Sequence, residues 1–228
     1  MVGENHLVLA INPGSTSTRA ALFSGETLEA EVGVSHASEE LETGADLWQQ
    51  LPLRRATVLA FLKQHAVAPD RLDAVVGRGG LLRPVPGGTY EVNDAMLADA
   101  RAGSRGVHPS NLGCALAHEM ALQGGARAVV VDPVSVDESD ELAAYSGLAD
   151  IRRRPLSHAL SVRASARRVA EVLGRPLASV NVVVAPPAPG SCASPPGTAL
   201  STTAAGVGVP AGVLTWISGE ISLNSVFG

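Results

Sequence analysis

The chain has 228 residues, and its 17 lysines and arginines against 22 aspartates and glutamates leave a formal charge of −5. That balance excludes a nucleic-acid module needing a basic face, and a hydrophobic fraction of 46% excludes a generally disordered chain. No run approaches the roughly 20 apolar residues of a membrane helix, and residues 7–11 are too short and poorly flanked for a signal peptide, so a cytoplasmic location is expected. Cys114 and Cys192, with no CxxC or His-rich neighbour, point to neither a disulfide framework nor a zinc site.

In chain order, residues 7–11 form an apolar strand, then a loop, then two β-prone runs at 19–23 and 28–34 joined at Ser24 and Gly25 as a hairpin. Residues 51–65 place Leu53, Val58, Leu59 and Leu62 on one helical face, with Arg54, Arg55 and Lys63 outside it. Residues 72–77 read as a buried strand running into a Gly-rich corner at 77–80. Residues 83–93 hold too many prolines and glycines for a helix and are expected as an extended loop turning at Gly87 and Gly88. Asn93 caps a helix over 94–102, and Ser110 caps another over 111–122. A strand at 126–132 ends on an acid, an arginine-rich helix spans 157–173, and a last strand spans 180–185. Strands and helices interleave, so the class is α/β.

Four segments carry candidate chemistry. In INPGSTST (11–18), Gly14 lets the backbone approach a ligand, and Ser15, Thr16, Ser17 and Thr18 add hydroxyls to loop amides suited to phosphate oxygens. The segment lacks the Walker lysine and reads equally as a bare hairpin turn. Arg78, and with weaker placement Arg83, follows a buried strand, where α/β folds bind ligands; its glycine neighbours would let a substrate reach the guanidinium, whose fork matches carboxylate or phosphate. Asp132 stands where an apolar strand stops and could hold a cation or orient a nucleophile; strands also end on Asp simply because it favours turns. His158 opens a helix, where anions bind, and His108 precedes another, although a lone histidine is more often structural.

These segments resemble the butyrate kinase branch of the acetate kinase family, within the actin, sugar kinase and Hsp70 ATPase superfamily. The resemblance rests on LAINPGSTSTRAALF (9–23), LDAVVGRGGLLRPVPGGTYEVNDAML (72–97), HPSNLG (108–113), VVVDPVSVDE (129–138) and HALSVRASARR (158–168). It implies a ribonuclease H-like amino-terminal lobe over 1–185. It also implies reversible transfer of the γ-phosphoryl group of ATP to butyrate, with Mg²⁺ as cofactor, no nucleic-acid or membrane partner, and a homo-oligomer. Carried over by motif, Asn12, Gly14, Ser15, Thr16 and Ser17 would form the first phosphate loop. Arg78 would bind the acyl carboxylate or the transferring phosphoryl group, Asp132 would be the catalytic and metal-holding acid, and His158 would hydrogen-bond phosphoryl oxygens.

The resemblance stops near residue 185. Residues 181–228 carry a single charged side chain, Glu220, where residues 1–180 carry 38, and PPAPGSC follows the strand at 181–185 where the family has a His-Leu-Gly-Gly-Gly-type second phosphate loop. The expectation is therefore a low-charge, poorly structured tail over 186–228, arising from a shifted reading frame, with the second lobe largely missing. Such a lobe would expose the apolar face that meets its partner. The alternatives are an inactive fragment of such a kinase and an acetate or propionate kinase.

Overall fold

The computed structural model describes residues 6–41, 46–154, 156, 158–182 and 184. Its centre is a six-stranded sheet in the order β3-β2-β1-β4-β6-β5. Strand β1 (Leu7–Pro13) turns directly back into β2 (Ser17–Ser24), and β2 into β3 (Thr27–Ser35), so the three form an antiparallel meander. The segment between the first two strands is thus the tight turn of a hairpin rather than a free loop. On the other side of β1, strands β4 (Ala74–Gly77) and β6 (Arg127–Val131) run parallel to it, and β5 (Thr89–Glu91) pairs antiparallel at the edge.

The parallel register positions the site. Ile11 on β1 faces Gly77 on β4, and Gly77 faces Val130 on β6. The chain therefore leaves the carboxyl ends of three neighbouring strands at nearly one level, at the Pro13–Ser17 turn, at Arg78 and at Asp132. Burial alternates along β4 and β6, so the helix Leu112–Gly124 covers the face that carries Val75, Ala128 and Val130.

Helix α1 (Ser38–Leu41) is one short turn. Helix α2 (Leu51–Gln64) starts with Pro52 in its first turn and buries Val58, Phe61 and Leu62, the i, i+3, i+4 stripe expected of a helix on a core. Helix α3 (Asp94–Ala102) has its cap as read from the sequence: the Asn93 side chain accepts the Met96 N–H at 2.9 Å, and Gly103 closes the other end at φ 58°. Helix α4 (Leu112–Gly124) is buried almost throughout its first three turns, packing Leu112, Leu116 and Met120 beneath β4 and β6. Its cap differs from the expectation. A 3-10 turn, Pro109–Asn111, precedes it, capped by His108, whose Nδ1 accepts the Ser110 N–H at 3.2 Å, and α4 itself starts from Asn111 without a side-chain capping bond.

Helix α5 (Ala159–Val172) carries its amino end back to the strand termini, with His158 at the cap. The strand expected at 180–185 does not form among the residues described there. The expected tail over 186–228 lies outside the described residues. Among the described residues no helix is long and apolar enough to cross a membrane.

Candidate active site

Arg78, Asp132 and His158, separated by up to 80 positions in sequence, line one small cleft together with Gly79, Val134 and Ala159–Ser161. Arg78 is fixed from below, since its amide donates to the Ile11 carbonyl at 2.9 Å, tying the end of β4 to β1. Burial pulls the Arg78 guanidinium below its ordinary pKa. Its Nη2 lies 3.5 Å from His158 Nδ1. A guanidinium has no acceptor, so Nδ1 must be the accepting nitrogen and the proton of a neutral His158 sits on Nε2.

The glycines around Arg78 serve a purpose other than the expected one. A Cβ on Gly77 would overlap the Gly113 carbonyl, one on Gly79 would overlap Pro133 and Val130, and one on Gly80 would overlap Asn111. These positions let α4 and the segment after β6 close on the strand end, and that packing, not access for a substrate, is what forbids a side chain there. Asn111 completes the corner: its Oδ1 accepts the Leu81 N–H at 2.8 Å and its Nδ2 donates to the Gly106 carbonyl at 3.0 Å.

Asp132 is 8% exposed and sits at φ 41°, a left-handed conformation that Asp tolerates better than most residues. It exchanges two bonds with Gly88: the Gly88 N–H donates to Oδ1 at 2.8 Å, and the Asp132 N–H donates to the Gly88 carbonyl at 2.9 Å. Oδ1 also accepts from Nη1 of Arg163, one turn into α5, while Nη2 of the same arginine donates to Glu138 at 2.6 Å. The Gly87 N–H donates to Glu138 as well, and together these bonds hold the Glu138 carboxyl below its ordinary range. Arg163 was invisible in the sequence, where it was one of several arginines on a basic helix. Only docking of α5 shows that it is paired to the acid.

The hairpin turn lies beside this cleft at the end of β1. Asn12 is buried in the strand, Gly14 and Ser17 are half-buried, and Ser15 and Thr16 are exposed. The Gly14 N–H donates to the Ser17 carbonyl at 2.8 Å and closes the turn. Beneath it stands Arg54, which the helical pattern had put outside the apolar face of α2. The structure corrects this: Arg54 is 0% exposed, and its guanidinium reaches the turn from behind. A periodicity argument assigns any arginine to water and cannot see backbone carbonyls supplied from 40 residues away. At His108, desolvation first and then the charges of Arg78 and Arg54 lower the pKa. Arg83 does not line the cleft: its side chain pairs with Asp99 at 3.2 Å on the exposed side of α3.

Among the described residues no group of three His, Cys, Asp or Glu side chains is placed to hold a metal. Asp132 offers one carboxylate, with both of the contacts given above on Oδ1. A single carboxylate does not suit a resident metal held by protein alone; it suits a hydrated cation that brings most of its own ligands.

No family model matches the chain. Butyrate kinase 2 of Clostridium acetobutylicum is 43% identical over 178 residues, which are 78% of this chain and 50% of that protein. A probable butyrate kinase of Elusimicrobium minutum is 42% identical over 181 residues, 78% of this chain and 49% of that one. Over its matched residues this chain is a butyrate kinase homologue. It spans about half the length of the curated relatives it matches. Among solved structures, the acetate kinase of Porphyromonas gingivalis matches with a TM-score of 0.56 at 21% identity, covering 75% of this chain and 50% of that one. The butyrate kinase homologue therefore shares the fold of half of an acetate kinase chain.

Proposed function

We propose that the chain carries the phosphoryl- and acyl-binding side of a butyrate kinase-type reaction, the reversible transfer of the γ-phosphoryl group of ATP to butyrate. The observation that carries the reading is the gathering of Arg78, His158 and Asp132 in one cleft at the strand ends, beside the hydroxyl-lined turn of residues 14–17. Butyrate kinase relatives at 43% identity support the same chemistry.

Butyrate is ionised at neutral pH, so its carboxylate oxygen is already the nucleophile and no strong base is required. That oxygen forms a bond to the γ-phosphorus as the bond from the γ-phosphorus to the β,γ-bridging oxygen breaks, and ADP leaves with the electron pair. Two anions must be brought together, so catalysis is alignment and charge neutralisation. Arg78 neutralises the equatorial oxygens or the incoming carboxylate. His158, with Nδ1 turned to Arg78, presents Nε2–H as a donor to the transferring group. Ser15, Thr16 and Ser17 offer hydroxyls and amides to the nucleotide phosphates, with Asn12 and Gly14 shaping the turn. Asp132 would hold the nucleotide's magnesium ion, whose chemistry is to neutralise phosphate charge. Arg163 and the Gly88 N–H fix that carboxylate in place.

The test is a hydroxylamine-trapping assay on the purified 228-residue chain with ATP, Mg²⁺ and acetate, propionate or butyrate. Butyryl hydroxamate formed faster than the shorter acyl products supports the reading. Hydroxamate formed fastest from acetate or propionate would move the substrate assignment, and no product from a folded chain would refute activity of this chain by itself. Each methylene is worth about 0.8 kcal/mol, so a preference of roughly tenfold over two carbons is the scale to expect.

A further inference from the structure

Arg54 has five N–H groups, and all five are used. Nε and Nη2 donate to Gln50 Oε1 at 3.2 and 2.9 Å, Nη2 to the Gly14 carbonyl at 2.8 Å, and Nη1 to the Ser17 carbonyl at 2.8 Å and Thr18 Oγ1 at 3.2 Å. Every acceptor is neutral, and among the described residues no carboxylate lies within ion-pair distance. Burying a full positive charge without a counter-charge is costly unless its hydrogen bonds are satisfied. A neutral amide donor could meet such carbonyls without burying a charge, so the guanidinium calls for a reason beyond hydrogen-bond satisfaction.

The turn supplies one. In a trans peptide the N–H points opposite to the preceding C=O. Drawing the Gly14 carbonyl inward to Arg54 therefore turns the Ser15 N–H outward, to the side where Ser15 and Thr16 are exposed. The same bonds hide two carbonyl oxygens that would otherwise repel an anion. His36 secures the turn from the other strand: its backbone N–H donates to the Thr16 carbonyl at 2.9 Å, and its ring bonds Thr18 Oγ1 at 2.8 Å.

We infer that Arg54 is a positioning residue for anion binding: it holds the 14–17 turn with the Ser15 amide outward and places a positive charge, with no carboxylate in ion-pair distance among the described residues, directly behind it. The occupant is a polyphosphate, since an outward amide, hydroxyls and a buried cation together favour a multiply charged anion over a singly charged carboxylate. Burial lowers the Arg54 pKa to about 10, so the charge persists at neutral pH, and it is felt at both His36 and His108. The inference rests on the reading of the turn as a phosphate loop, and the experiment separates the two.

The ¹⁵N-labelled full chain is titrated with inorganic pyrophosphate and the backbone amides are followed by NMR. In the wild type the Ser15, Thr16 and Ser17 amides are expected to shift together; if they do not, the phosphate-loop reading fails whatever Arg54 does. Arg54→Lys, which keeps the charge and loses the fork, is expected to weaken pyrophosphate about tenfold. Arg54→Met, of similar length and neutral, is expected to weaken it about a hundredfold, with the Ser15 amide displaced even before ligand is added. Chloride serves as the comparison anion, and its weak binding is expected to change far less than that of pyrophosphate. Folded variants that bind pyrophosphate like the wild type would overturn the inference while leaving the phosphate-loop reading intact. If Arg54→Met does not fold, Arg54→Lys decides by the same criterion. Loss of the fold in both would also overturn it, because Arg54 would then be a core residue for the lobe at large.

Discussion

Gly113→Ala separates helix propensity from packing at the point where α4 touches the strand end that carries Arg78. In an isolated helix the change would be favourable by about 0.8–1 kcal/mol. In this fold a Cβ on Gly113 would stand 2.9 Å from the carbonyl carbon and 3.0 Å from the amide nitrogen of Arg78, and closer still to the Arg78 carbonyl oxygen. All three are backbone atoms, so no rotamer change can relieve the overlap, and α4 must lift from β4. Overpacking costs typically 1–3 kcal/mol, and the upper end applies where only backbone can yield. Setting about 3 against about 1 leaves a net loss near 2 kcal/mol, or roughly 4–8 °C in Tm for a lobe of this size. The same displacement strains the Arg78 N–H to Ile11 carbonyl bond, so pyrophosphate affinity should fall with Tm. Calorimetric melting of the variant measures the first effect and NMR titration the second. Gly147→Ala, where nothing lies within 4 Å, is the control and should move stability by no more than about 0.5 kcal/mol. A Gly113→Ala protein that melts at or above the wild-type temperature would refute the packing argument.

Other outcomes follow from the same geometry. Asp132→Asn retains an acceptor for the Gly88 N–H and a residue that tolerates positive φ, so it should lose phosphoryl transfer by about 10²-fold or more while stability changes by under about 1 kcal/mol. Asp132→Ala strands that N–H and strains the backbone, and should cost about 2–4 kcal/mol by denaturant melting as well. At His158 the tautomer argument predicts that Gln, whose amide nitrogen takes the place of Nε2, keeps more activity than Asn, by about tenfold in kcat; equal loss in both would contradict the assignment of Nδ1 as acceptor. For His36, burial first and the Arg54 charge second hold the folded-state pKa below 6.5, so its contribution to stability is complete above about pH 6.5 and is lost as pH falls toward the lowered value. Thermal melts should therefore show a smaller drop in Tm between about pH 7 and pH 5 for His36→Gln than for the wild type.

The sequence carried the strand ends and the chemistry that sits on them. Apolar runs that stop at Asn12, Gly77 and Val131 are short-range patterns, and residues following buried strands in an α/β chain fall on one rim of the sheet, so Arg78 and Asp132 were legible as candidates. Asn93 was legible for the same reason, since a cap is satisfied within a few residues of itself. The long-range partners were not. Arg163 meets Asp132 only because α5 docks against the end of β6, and the edge strand β5 forms within residues 83–93, which read as an extended loop. Arg54 is the clearest case: helical periodicity sorts side chains by hydropathy and sends arginine to solvent, but a guanidinium can be buried when distant carbonyls meet all its donors. Those carbonyls, of Gly14 and Ser17, are brought beneath α2 by the β1–β2 turn, and only the folded chain puts them there.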